Sequence, residues 1–212
     1  MRAHDDIRCQ RVIQFALAAI VVALAVASCS TAQVTRTARI EIQDEIGFTI
    51  TEKARISGKV RADYESALVL LEQGQHEQGI ELLRRVTEEA PELSAPRIDL
   101  GIAYHRTGDL ESAESNLQKA LELNPDHPAV HNELGIVYRK TGRFAEARKS
   151  YEKALAVYPG FHFARRNLAI LCDVYLADPA CAIENYQAYL QAVPGDREVT
   201  IWITDIRNRT GR

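Results

Sequence analysis

Proline and glycine recur along the middle of this chain at one fixed interval. The positions are Pro91, Pro125 and Pro159 for proline and Gly74, Gly108 and Gly142 for glycine, each set spaced by 34 residues. A repeat of roughly 20 to 50 residues is typical of a solenoid, in which each unit buries its apolar face only against its neighbours. The period therefore predicts an elongated protein that binds partners through its surface.

The repeat is clearest when residues 94–127 are laid over residues 128–161. The residues that reappear 34 positions later are Leu100, Gly101, Tyr104, Thr107, Gly108, Ala113, Ala120, Leu121 and Pro125. Small residues let two antiparallel helices approach closely, and apolar residues at i and i+4 form the buried stripe of a helix. The glycine supplies a left-handed C-cap after the first helix, and the proline ends the second helix.

These residues resemble the signature of the tetratricopeptide repeat, a helix-turn-helix unit of 34 residues. The resemblance implies an all-α fold, a right-handed superhelical solenoid of about four units with a C-terminal capping helix. The predicted units are residues 60–93, 94–127, 128–161 and 162–195, with the capping helix over 196–209. The fourth unit has one extra residue, which we expect in the turn over residues 176–180.

The N-terminus determines the compartment. Arg2, Arg8 and Arg11 precede an apolar run over residues 12–26, which is typical of a signal peptide and short for a membrane span. Residues 26–29 (Val-Ala-Ser-Cys) resemble the bacterial lipobox. The resemblance implies that residues 1–28 are removed and that Cys29 carries lipid, including palmitate. An uncleaved anchor and ordinary cleavage nearby are the alternatives, and both place the following residues across the inner membrane.

Ser30 follows the predicted lipidated cysteine. In lipoproteins of Gram-negative bacteria an Asp at this place favours retention in the inner membrane. The resemblance therefore favours the outer membrane over the inner membrane, with the domain facing the periplasm.

Residues 29–59 are predicted to form a lipid-anchored tether with a short extended segment. The isoleucines and phenylalanine in this segment alternate with polar residues in two runs around residues 43–45, at Ile40, Ile42, Ile46, Phe48 and Ile50. Alternation of this kind predicts strand-like structure. The segment either binds a partner or covers the repeat groove, or it forms a loosely packed N-terminal cap.

Composition argues against several classes of function. The chain has 26 Lys and Arg against 29 Asp and Glu, and removal of residues 1–28 takes away three Arg and two Asp, which leaves a formal charge of −4. Mild acidity without a basic run disfavours nucleic-acid binding. The sequence has no Gly-rich phosphate loop, nucleophile elbow or Cys-x-x-Cys pair. We therefore predict no enzyme activity, no cofactor and no small-molecule substrate.

Cysteine and histidine usage gives two further predictions. Once Cys9 leaves with the signal peptide and Cys29 carries lipid, Cys172 and Cys181 remain in an oxidising compartment, which predicts a disulfide between them. The alternative is two buried free thiols. We interpret His127 and His131 as a surface pair rather than a metal site, because no acidic or cysteine ligand accompanies them.

The resemblance also implies a binding surface. In tetratricopeptide proteins the first helices line a concave groove with their second, fifth, ninth, twelfth and thirteenth positions. Here the ninth positions form an apolar stripe, Leu68, Ile102, Ile136 and Ile170. The neighbouring positions include Tyr64, His105, Arg106, Asn132, Arg139, Lys140 and Arg166.

This groove lacks the Lys and Asn at the fifth and ninth positions that the carboxylate-clamp subfamily uses. An apolar floor with a basic rim suits an amphipathic or extended segment with acidic flanks. The alternative is that these side chains belong to ordinary helix packing or are covered by residues 40–50.

The predicted function is a non-catalytic adaptor that binds protein partners of the cell envelope, similar to the repeat lipoproteins that assist pilus or secretin assembly. The second possible function is an adaptor of an energy-transducing transport complex or of peptidoglycan enzymes. A periplasmic chaperone for unfolded clients is the third.

Overall fold

The computed structural model describes residues 39–43, 47–52 and 56–211 of the chain. All of them lie in one compact unit, Thr37–Arg212. The predicted signal peptide, Cys29 and residues 30–38 lie outside the described residues.

The described part begins with an antiparallel hairpin of strands β1 (Arg39–Gln43) and β2 (Gly47–Thr51). Ile40 pairs with Ile50, and Ile42 pairs with Phe48. This is the extended structure that the alternation of apolar residues predicts.

Nine helices follow the hairpin in the described residues. They are α1 (Gly58–Glu72), α2 (His76–Glu89), α3 (Ala95–Thr107), α4 (Leu110–Leu123), α5 (Pro128–Lys140), α6 (Phe144–Val157), α7 (His162–Ile170, continued by a π-helical turn over Leu171–Tyr175), α8 (Pro179–Ala192) and α9 (Arg197–Thr210).

Successive helices pack as pairs, α1 with α2, α3 with α4, α5 with α6 and α7 with α8, while α9 packs on α8. The second helix of each pair also contacts the first helix of the next, and α3, α5 and α7 are neighbours. The predicted all-α repeat solenoid is therefore confirmed. In the described residues, the hairpin of β1 and β2 precedes it.

The periodic glycines and prolines set the ends of the helices. Gly108 has a φ of 89°, the left-handed conformation that ends α3 and that favours glycine. The helix α4 ends at Leu123, and Asn124 is extended with a φ of −142° before Pro125. A residue before proline avoids the helical region, so the proline fixes the end of the second helix.

The extra residue of the fourth unit does not lengthen the turn, and this prediction is wrong. Three residues, 176–178, separate α7 and its π-helical turn from α8, as residues 141–143 separate α5 from α6. The extra residue is absorbed within Leu171–Tyr175, where the Leu176 N–H donates to the Leu171 carbonyl at 3.1 Å. This i→i−5 bond is the one that a π-turn uses to insert a residue into a helix.

Glycine allows the closest contacts between paired helices. A Cβ on Gly101 would lie 2.5 Å from Cγ of Leu117, and a Cβ on Gly135 would lie 2.4 Å from Cε1 of Tyr151. Leu117 and Tyr151 are fully buried. The repeated glycine therefore gives the partner helix room for one large side chain in each of these two repeats.

Glu52 ties the chain before α1 to the second repeat. Its carboxylate accepts hydrogen bonds from the backbone N–H of Ser94 at 3.0 Å and of Ala95 at 3.4 Å, and from the Ser94 hydroxyl. An acidic group at a helix N-terminus satisfies free N–H groups and interacts favourably with the helix dipole. The N-terminal segment is thereby held where α3 begins.

Candidate protein-binding groove

Polar contacts join the first helices of neighbouring repeats. The Tyr64 hydroxyl of α1 donates to Oδ2 of Asp99 in α3 at 2.6 Å. The Asn167 amide of α7 donates to Oδ1 of Asn132 in α5 at 2.9 Å. Each contact spans 35 residues, so both lie along the row of first helices. They fix the helices that the resemblance assigns to the groove.

Two further contacts continue this row. Nδ1 of His105 in α3 lies 3.8 Å from Oε2 of Glu133 in α5. The Arg166 guanidinium of α7 lies 3.8 Å from Oε2 of Glu198 and 5.2 Å from the ring centroid of Trp202, both in α9. The capping helix therefore continues the side of the solenoid formed by the first helices.

Not every predicted groove residue is accessible. Asn132 is 4% exposed and bridges α5 and α7, so its role is packing between repeats. Tyr64 is half-buried, and its hydroxyl is engaged by Asp99. For these two residues the structure favours the alternative of ordinary helix packing.

The apolar stripe is half-buried rather than open. Leu68, Ile102, Ile136 and Ile170 all have intermediate exposure. Ile102 packs against the buried cluster that contains Leu117 and Val130, and Ile136 and Ile170 pack against the C-terminal core. The stripe therefore contributes to the core as well as to the surface.

The most exposed large apolar side chains of α7 and its π-turn were missed by the sequence reasoning. Phe163 is 57% exposed, Val174 64% and Tyr175 42%. Phe163 and Val174 occupy the second and thirteenth positions of the fourth unit, which the family rule assigns to the groove. The same rule, applied to all five groove positions of the fourth unit, predicts both residues.

Basic residues lie near the ends of α3 and α5. Arg106 and Lys140 are exposed, and Arg139 is half-buried. Burial and the positive charges of Lys140, Arg106 and Arg139 lower the pKa of His105, which favours its neutral imidazole. The Arg139 guanidinium lies 5.8 Å from the ring centroid of Tyr175, so the basic residues adjoin the exposed apolar residues.

Two carboxylates lie behind these cations. Burial raises the pKa of Asp99, while the Tyr64 hydrogen bond and the charge of Arg106 lower it. Burial likewise raises the pKa of Glu133, while the hydrogen bond from the Asn132 amide and the charge of Arg106 lower it. Both carboxylates are partly covered, and Arg106 and Lys140 present their charges to solvent.

The histidine pair is buried, so its interpretation as a surface pair is wrong. His127 is 8% exposed, and its Nδ1 accepts the Val130 N–H at 3.4 Å as the N-cap of α5. His131 is 6% exposed, and its Nε2 lies 2.9 Å from the Pro125 carbonyl oxygen. Both rings are used to start α5 after the proline.

Cys172 and Cys181 form a disulfide in the structure, with their Cα atoms 5.9 Å apart. Cys172 lies in the π-helical turn, and Cys181 lies in the first turn of α8. Among the described residues, these cysteines and Asp178 form the one group with metal-ligand spacing. The two sulfurs are already bonded to each other, so this group is a covalent link between helices.

The first prediction concerns this disulfide. Thiol alkylation under denaturing conditions should modify Cys172 and Cys181 only after reduction. A cross-link that closes a loop of this length contributes about 2 to 3 kcal/mol on the chain-entropy model, so reduction should lower the free energy of unfolding by that amount. Alkylation of both thiols without reductant would show that they are free.

In the part of the chain that the structure covers, none of the helices combines the length and apolarity needed to span a membrane.

Comparison with known proteins agrees with the helix pairing. Residues 60–126 and 92–160 each match the tetratricopeptide repeat family model. This part of the chain therefore carries tetratricopeptide repeats, a fold that typically serves as a protein-interaction scaffold. No curated protein matches the chain significantly in sequence.

Solved structures with the same fold include two bacterial proteins. MamA (residues 41 to the end) from Desulfovibrio magneticus RS-1 is 20% identical with a TM-score of 0.67, covering 74% of this chain and 88% of MamA. PilF from Pseudomonas aeruginosa is 22% identical with a TM-score of 0.65, covering 71% of this chain and 68% of PilF.

A third structure contains a ligand. It is the first tetratricopeptide domain of Spaghetti, bound to an HSP90 peptide. It is 23% identical with a TM-score of 0.55, covering 57% of this chain and 96% of that domain. At these identities the likeness concerns the fold.

Proposed function

We propose that this chain is a non-catalytic adaptor of the Gram-negative cell envelope. It is anchored by lipid at Cys29, with Ser30 favouring the outer membrane, and it holds its tetratricopeptide solenoid in the periplasm. There it binds a protein partner and assists the assembly or stability of an envelope complex such as a pilus or secretin machine.

The observation that carries this proposal is the exposed surface of α7 beside the basic ends of α3 and α5. Val174 and Tyr175 are each more than 40% exposed at the C-terminal end of a helix whose opposite face is fully buried, and Phe163 is exposed at the other end of that helix. Aromatic and arginine side chains grouped on one rigid surface are typical of protein-binding sites. The fold shared with PilF and MamA is consistent with this proposal, and the Spaghetti domain, which is bound to an HSP90 peptide, supports peptide binding by this fold.

Formaldehyde cross-linking in cells, followed by affinity purification of the full chain, tests the adaptor role. We expect one or two partners at near-stoichiometric amounts. Many substoichiometric clients would instead support the chaperone, and recovery of a transport component or a peptidoglycan enzyme would identify the other adaptor roles. A chain that captures no partner in its native host contradicts the proposal.

The second prediction concerns the anchor. Replacement of Cys29 by Ser removes the thiol that would carry the diacylglycerol group. Metabolic labelling with palmitate should therefore be lost, and the precursor should accumulate uncleaved. Cys9→Ser is the matched control and should label as the wild type does. Labelled protein from the Cys29→Ser strain would refute the lipid anchor.

A further inference from the structure

Exposed side chains form a row at the edge of the solenoid where the first helices end. The helix α3 ends after Arg106, α5 ends at Lys140, and the π-helical turn of α7 ends with Val174 and Tyr175. All four residues are exposed. We call Arg106, Lys140, Val174 and Tyr175 the edge strip.

The edge strip is continuous. The charges of Arg106, Lys140 and the neighbouring Arg139 all act on the imidazole of His105, so the three cations lie in the neighbourhood of that ring. Arg139 also lies 5.8 Å from the ring centroid of Tyr175, which connects the cations to the apolar end.

The charge of the strip is positive although the whole chain is acidic. Of the nearby carboxylates, Asp99 accepts the Tyr64 hydroxyl and Glu133 accepts the Asn132 amide. Asp173, beside Val174, is paired with Arg209 of α9. Arg106 acts on Asp99 and Glu133 through its charge, but in the described part of the chain neither Arg106 nor Lys140 forms an ion pair within 4.0 Å. Their charges are therefore available to an acidic ligand.

We propose that the edge strip binds an extended segment of the partner protein in which two acidic residues precede or follow one large apolar residue. This inference rests on the proposed adaptor function and specifies the chemistry of its partner. The two carboxylates would face Arg106 and Lys140, and the apolar side chain would cover Val174 and Tyr175. The arrangement differs from a carboxylate clamp, because the cations lie at the ends of the helices.

The geometry of the solenoid sets the spacing of the segment. Packed helices lie about 8 to 10 Å apart, and a polyproline II segment advances about 3.1 Å per residue with about three residues per turn, so every third side chain lies on the same face. Since α3, α5 and α7 are neighbours, about three residues of the segment correspond to one repeat. The expected pattern is an acidic residue, two spacers, a second acidic residue, two spacers and an apolar residue, in either direction.

Designed peptides test this pattern on the full chain in neutral detergent micelles. One fluorescent peptide carries two Glu and one Trp at this spacing among Gly and Ser, and a second carries Lys in place of both Glu. Peptides of both directions are used, and binding is measured by fluorescence anisotropy at low and high salt. We expect the Glu peptide to bind at least about tenfold more tightly than the Lys peptide, with a difference that salt reduces.

A charge reversal gives the decisive comparison. In Arg106→Glu with Lys140→Glu, the preference should reverse in favour of the Lys peptide. Val174→Asp should weaken binding of the Glu peptide by about tenfold or more, since an apolar contact is replaced by a like charge. Arg84→Glu with Arg85→Glu is the matched control, because it makes the same change in net charge on exposed positions of α2.

The proposal is overturned if the wild type binds neither peptide, binds both equally, or loses binding equally in the control pair. Micelles that contain phosphatidylglycerol test a lipid partner instead. Binding to those micelles that requires Arg106 and Lys140, without peptide binding, would assign the strip to a membrane surface and refute the proposal. If the charge-reversed variant still captures its partner in cells, only the proposed role of the edge strip is refuted. If the wild type captures no partner, the adaptor function itself is refuted.

Discussion

Replacement of Leu100 by Asp is expected to abolish cooperative folding of the N-terminal half of the solenoid. Leu100 is 2% exposed and packs with Ala67 and Leu83 where the first and second repeats meet. Truncation of a buried leucine costs about 2 to 5 kcal/mol, and an unpaired buried charge adds several more. Because a whole domain is stable by only about 5 to 15 kcal/mol, we expect loss of the helical signal of α1–α4 on mild heating, measured by circular dichroism.

The pH dependence of this variant identifies the cause. Burial would raise the pKa of Asp at position 100 above its value in the unfolded chain, so the folded variant binds the proton more tightly. The destabilisation relative to the wild type should then be largest at pH 7 and decrease as the pH falls. Val69→Asp is the control, because Val69 is 50% exposed on α1 and should change stability by less than about 1 kcal/mol. Equal destabilisation by the two variants would contradict the assigned packing.

The repeat architecture was predictable because each recurring residue has one local reason. Gly108 ends α3 in a left-handed conformation, and Pro125 fixes the end of α4. Asp196 likewise caps the last helix, since its carboxylate accepts the Val199 N–H at 3.1 Å. Features of this kind depend on a few neighbouring residues and can be read from their order.

Other features depend on contacts between distant residues. The burial of His131 follows from how the loop before α5 folds over the ring, and no periodic pattern marks it. The extra residue of the fourth unit could have gone into the turn or into the helix, and a π-turn at Leu171–Tyr175 accommodates it without changing the turn. Glu52 reaches the start of α3 across more than 40 residues, a pairing that sequence spacing does not encode.

The candidate site was likewise predicted only in part, because the exposure of its side chains depends on contacts between distant residues. The ninth positions were predicted to form an open apolar floor, but Ile102 and Ile136 share their surface with the core. How much of a side chain remains exposed depends on the size of its neighbours, such as Tyr138, which packs against both clusters. Val174 is therefore a better probe of binding than Ile102, because an Asp there leaves the packed core intact.

Replacement of Tyr151 by Ala is expected to loosen the packing of α5 against α6 within the third repeat. Tyr151 is fully buried, and its ring occupies the space that Gly135 leaves open between α5 and α6. Deletion of a buried aromatic ring costs about 3 to 5 kcal/mol, and here two packed helices border the cavity. We expect a loss of this size in the free energy of unfolding, measured by urea denaturation, and a loosened α5.

Tyr151→Phe distinguishes loss of the ring from loss of the hydroxyl. The hydroxyl is buried near the Arg139 guanidinium, whereas the ring makes the contact with Gly135. Phe keeps that ring, so its stability should stay within about 1 kcal/mol of the wild type. Since α5 also carries Arg139 and Lys140, the Ala variant should weaken binding of the Glu peptide in proportion to the loosening of that helix, and Phe should not. If Phe destabilises as much as Ala, the hydroxyl and its arginine neighbour, rather than the aromatic volume, hold the third repeat together.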